Sequence, residues 1–62
     1  MMKTLIIVII YLNFELPADI HKLDFWMTDA ECHKIGNLII QDLKQSSFIK
    51  HSDYYCVNNQ YE

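Results

Sequence analysis

Lys3-Thr4-Leu5-Ile6-Ile7-Val8-Ile9-Ile10-Tyr11-Leu12-Asn13-Phe14 holds eight consecutive apolar residues behind a single lysine. That outline suits a secretory signal or a membrane anchor as well as a strand. Signal cleavage wants small side chains just before the cut, yet the first small residue after the run is Ala18, behind Leu16 and Pro17. A bilayer-spanning helix needs roughly 20 apolar residues, more than twice this run. The run is rich in Ile and Val, whose branched Cβ favours pleated backbone. The segment therefore reads as a long first strand over residues 4–14.

Side chains alternate between the two faces of a strand. The even positions (Thr4, Ile6, Val8, Ile10, Leu12, Phe14) stay apolar to the end, whereas the odd positions turn polar at Asn13. The even face is thus the expected core. The odd face, Leu5, Ile7, Ile9 and Tyr11, is apolar as well and calls for a second cover. In so short a chain the simplest second cover is another copy, which makes the odd face the expected dimer face and a homodimer the expected state.

Glu15-Leu16-Pro17-Ala18-Asp19 reads as a connection, since Pro fixes its own φ and pushes its predecessor towards extended backbone. A second strand is expected over 20–27, antiparallel to the first, with Leu23, Phe25 and Met27 on one face and Lys22, Asp24 and Trp26 on the other. Thr28-Asp29-Ala30-Glu31 matches the capping box and predicts a helix start. Asp29 and Glu31 also suit the positive end of that helix, and Lys44 its negative end. Cys32, Ile35, Ile39 and Leu43 form one stripe at helical spacing, flanked by Leu38 and Ile40. Gly36 beside that stripe reads either as a point of close backbone approach or as a residue without special role. A last strand is expected in 48–57, either as one strand with a bulge or as a loop followed by a strand at Tyr54–Val57, and residues 58–62 as a frayed tail. The fold class is α+β: a small antiparallel sheet of two to three strands packed on one helix, in the order β-β-α-β.

A chain of 62 residues makes one domain, here 1–62, and buries only about 60% of the surface its unfolded form exposes. With 52% hydrophobic and 21% charged residues it is too apolar for a disordered segment. Its five cations are all Lys against eight carboxylates, a net charge of −3. Phosphate binding needs clustered positive charge, and base reading leans on the Arg fork, so nucleic acid is not an expected partner. Two cysteines are too few for a secreted disulfide framework. The ordinary expectation is reduced, buried Cys32 and Cys56 in a cytoplasmic protein, with a Cys32–Cys56 bridge as the alternative.

No constellation carries recognisable chemistry, and no catalytic residue, cofactor or metal is expected. His51, Asp53 and Cys56, with His21 brought in by pairing, offer zinc donor types, but their spacing is no known ligand ladder. His51-Ser52-Asp53 cannot act as a hydrolase triad, because neighbours on extended backbone point opposite ways. Cys32 near a helix start could be an activated thiol, but it falls on the buried stripe, where thiols are inert. His33 follows Asp29 by four residues, the spacing of an exposed helix pair. Trp26, Tyr54, Tyr55 and Tyr61 remain as candidate partner-binding residues, since Trp and Tyr bring large rigid area with a polar tip. One of Tyr54 and Tyr55 must face inward.

The function expected is that of a small acidic, non-catalytic protein-binding module. Adaptors, antitoxins and inhibitors, such as phages or mobile elements encode, are of this size and act by occluding a partner surface. A nucleic-acid mimic fits less well, because the carboxylates are scattered among lysines. The alternatives are a membrane-associated or exported protein using residues 4–12 as anchor or signal, and a minimal enzyme centred on Cys32.

Overall fold

The Ile- and Val-rich segment forms strand β1 (Met2–Tyr11), which is followed by strand β2 (Asp19–Trp26), helix α1 (Asp29–Lys44) and strand β3 (Ile49–Asn58). The computed structural model describes residues 2–58. The three strands make one antiparallel sheet in the order β2-β1-β3, giving the expected small α+β fold with the longest apolar run at its centre. Residues 59–62, most of the expected frayed tail, lie outside the described residues, while Asn58 is the last residue of β3 and pairs with Lys3.

The first strand ends at Tyr11, three residues earlier than its pattern predicts. Asn13 ends it: its side-chain oxygen accepts the amide of Glu15 and its carbonyl accepts the amide of Leu16, so the chain turns. Leu12, Phe14 and Leu16 are left exposed in the connection, Phe14 at 92%. The apolar character of Leu12 and Phe14 lengthens the even-face pattern although neither belongs to the strand.

The two faces of β1 are exchanged relative to expectation. Leu5, Ile7 and Ile9 are buried and form the core with Met27 and Cys32, with Tyr11 packed at its edge. The even residues Thr4, Ile6 and Val8 are half-buried and Ile10 is exposed. The odd set expected to meet a second copy is therefore covered by the chain's own helix. The physical reason lies in the neighbours: Leu5 pairs with Leu23 and Cys56 and Ile7 pairs with Tyr54, so the odd face carries the side chains to which α1 is fastened.

Helix α1 begins at the capping box. The Thr28 hydroxyl accepts the Glu31 amide and the Glu31 carboxylate accepts the Thr28 amide. Both bonds favour the charged carboxylate, which holds Glu31 below the usual range. The buried face is Cys32, Gly36 and Ile40, with Ile39 and Leu43 half-buried, whereas Ile35 and Leu38 are exposed. The helix is thus turned so that Gly36, and not Ile35, meets the sheet. A Cβ at Gly36 would stand 2.4 Å from Cδ2 of Tyr54, so the close-approach reading of this glycine holds.

Three ties fix α1 to the sheet. A disulfide joins Cys32 to Cys56 across a separation of 24 residues. This overturns the expectation of reduced thiols. By loop-closure entropy alone such a link is worth about 3.5 kcal/mol, large beside the roughly 5–15 kcal/mol by which native proteins in general are stable. The Tyr54 hydroxyl meets Nδ1 of His33 at 3.0 Å, with the two rings edge to face. Lys3, buried on the same side, reaches Asp29 in the first helical turn at 2.6 Å and donates to the side chain of Asn58. The lysine holds the Asp29 carboxyl below its ordinary range. At the hairpin end, the Tyr11 hydroxyl donates to Asp19, which pushes its pKa up.

Strand β3 is one strand with an irregularity. His51 pairs with Ile10 and Ile49 with Tyr11, so Lys50 is the extra residue of a bulge.

Candidate functional site: the open face of the sheet

A sheet apolar on two sides needs two covers, and α1 supplies one. On the other side the registers place Tyr55 beside Ile6, Ile20 beside Val8 and Val57 beside Thr4. Trp26 and Met2 pair at one corner of the same face. Ile20 is 62%, Trp26 75% and Tyr55 52% exposed. These apolar side chains are interleaved with Lys22, Asp24, His51 and Asp53, which pair with Ile6, Thr4, Ile10 and Val8. Large exposed apolar side chains gathered on one face and flanked by polar residues are the composition of an interaction surface.

The four aromatic candidates do not act together. Trp26 and Tyr55 lie on the open face, although on opposite edge strands. Tyr54 points to the helix side, half-buried over Gly36. It is a packing residue, as one of two adjacent strand tyrosines had to be. Tyr61 lies outside the described residues. Sequence reading missed Ile6, Val8 and Ile20 as surface residues. The signal that could have found them is the cysteine pair: a Cys32–Cys56 bridge puts Cys56 on the helix side, Tyr54 two residues before it on the same side, and Tyr55 opposite.

The donors considered for metal are kept apart. Cys56 is bridged on the helix side, His51 and Asp53 face the open side, and His21 sits on the other edge strand. Among the described residues no group of three or more His, Cys, Asp or Glu side chains could hold a metal ion. The activated-thiol reading of Cys32 falls with the disulfide. A groove of about 380 Å³ runs between α1 and the bulged part of β3, lined by Asn37, Ile40, Lys44 and residues 49–54.

Residues 4–11 lie in the central strand, so removing them as a signal would take out the middle of the sheet and its core. Among the described residues no helix is long and apolar enough to cross a membrane. No family model, curated protein or solved structure matches the chain.

Proposed function

We propose that the chain is a small acidic protein-binding module, without catalytic chemistry of its own, which acts by occluding a partner surface with the open face of its sheet. The observation that carries this reading is the second apolar face, centred on Ile6 and Val8 and extended by Ile20 and Tyr55, which no element among the described residues covers. As an adaptor, antitoxin or inhibitor it would meet a second copy of itself first and a heterologous protein next. The negative charge supports a protein partner over nucleic acid.

The cytoplasmic expectation rested on reduced cysteines. A disulfide that fastens α1 to the sheet suits an oxidising compartment, and we propose that the working form is found there.

The test is affinity capture from the native host with the oxidised protein and with an Ile6→Lys variant shown by circular dichroism to be folded. A partner held by the wild type and lost by the variant supports the reading, because a lysine would have to leave water unpaired to enter that contact. Identical sets of captured proteins would reject it.

A further inference from the structure

Strand β2 is the part of the sheet that the fold leaves most open. One of its edges pairs with β1 and the other has no neighbouring strand among the described residues. Residues 20–26 are exposed on both faces, because α1 lies over β1 and β3. Ile20, Leu23, Phe25 and Trp26, four large apolar residues, are all exposed on this strand of eight. Its register with β1 runs without a break from Asp19 to Trp26. An unbroken edge of that kind is a template for another strand, whereas the other edge strand, β3, is blunted by its bulge.

The sequence of β2 selects its own complement. When an edge strand pairs antiparallel with a copy of itself, opposed residues must be both odd or both even, since alternate residues direct their backbone groups outward and side chains alternate between faces. With Leu23 opposite Leu23 of the second copy, Lys22 lies opposite Asp24 and Asp24 opposite Lys22, while Ile20 meets Trp26 and His21 meets Phe25. The next permitted shift in one direction sets Lys22 against Lys22, and in the other Asp24 against Asp24. Opposite charges across a strand pair stabilise it and like charges oppose it, so one register is favoured over both of its neighbours. Asp24 accepts a bond from the Thr4 hydroxyl and keeps its negative charge in doing so, which is what attracts a lysine opposite it.

We infer that two copies of the chain join through β2 in this register, making a six-stranded sheet on a two-fold axis at Leu23. Odd residues of both copies then face the same side, so both helices cover one face and the two open faces merge into one. The inference deepens the protein-binding reading above and rests on it.

Sedimentation at several concentrations, with the oxidised full chain, is the first measurement: the wild type should show a concentration-dependent monomer–dimer equilibrium. Lys22→Asp and Asp24→Lys should each weaken it on the order of tenfold or more, since each turns two attractions into two repulsions. The double variant should recover it, and so should an equimolar mixture of the two single variants, whose charges are complementary across the joint. Amide exchange on the wild type needs no variant: protection should rise with concentration in β2 and stay constant in β3. A wild type that is monomeric throughout overturns the edge pairing. So does a dimer that Ile6→Lys disrupts and Lys22→Asp leaves intact. If edge pairing fails while Ile6-dependent capture of a host protein persists, the wider reading stands without it; an edge dimer with no such capture supports the pairing and rejects occlusion of a heterologous partner.

Discussion

Gly36→Ala is the substitution for which helix propensity and packing predict opposite signs. In an exposed helix interior the change stabilises by about 1 kcal/mol, because Ala loses less backbone entropy. Here the new Cβ would lie 2.4, 2.7 and 2.8 Å from Cδ2, Cγ and Cε2 of Tyr54, where carbon atoms ordinarily rest about 3.5–4.0 Å apart. The atoms met are the body of a ring, not the end of a flexible chain. The ring has little freedom to retreat, since its hydroxyl is held at His33 and Cys56, two residues on, is bridged to the helix. Overpacking of this kind costs about 1–3 kcal/mol, so the net effect should be a loss of about 0–2 kcal/mol. The sharper test is the cycle with Tyr54→Ala: once the ring is gone, Gly36→Ala should stabilise by about 1 kcal/mol, a reversal of sign and a coupling of about 1–3 kcal/mol. Urea unfolding followed by far-ultraviolet circular dichroism, on oxidised protein at one low concentration, measures all four corners. A gain of about 1 kcal/mol in both backgrounds would refute the packing of Tyr54 on Gly36.

Reduction of the Cys32–Cys56 bridge should lower stability by about 3.5 kcal/mol and broaden or abolish the unfolding transition, which paired melts with and without reductant would show. Thr28→Ala should cost about 1 kcal/mol by removing the cap acceptor, and Glu31→Ala less; an unchanged denaturant midpoint for Thr28→Ala would mean the helix starts elsewhere. Asp29 and Glu31 are both held below their ordinary values of 3.8 and 4.5 by Lys3 and by Thr28, so the stability they contribute is present above those values and lost as pH falls through the lower folded ones. Denaturant midpoints should therefore decline on acidification from about pH 4.5, and Asp29→Asn should flatten part of that decline.

The element order and the helix start were legible because each rests on local physics: branched side chains in the first segment, a reciprocal cap at Thr28 and Glu31. Which face of β1 forms the core was not, because Leu5, Ile7 and Ile9 differ from Ile6, Val8 and Ile10 in nothing that period or hydropathy registers. Cross-strand neighbours decide it, and register is a long-range property. The expected helix stripe lies about half a residue's rotation from the observed buried face, since apolar character favours Ile35 where the contact with Tyr54 demands Gly36. Lys3 was read as the flank of an apolar run. It is buried, and the carboxylate that makes this tolerable lies 26 residues along the chain, at Asp29.

Among the described residues, the ties between helix and sheet and the buried core are on one side of the sheet. The disulfide, the Tyr54–Gly36 packing, the Lys3–Asp29 pair and the core of Leu5, Ile7 and Ile9 all lie between sheet and helix. A bridge worth about 3.5 kcal/mol lets so thin a core suffice without help from the other face. The strand does not need isoleucine there either, because Thr and Tyr serve a solvated β surface as well and avoid exposed apolar area. Ile6, Ile10 and Ile20 are thus unexplained by the stability of the isolated chain. A contact made by that face, as proposed, would explain them, and the edge pairing through β2 would present it twice, side by side, to a partner of matching size.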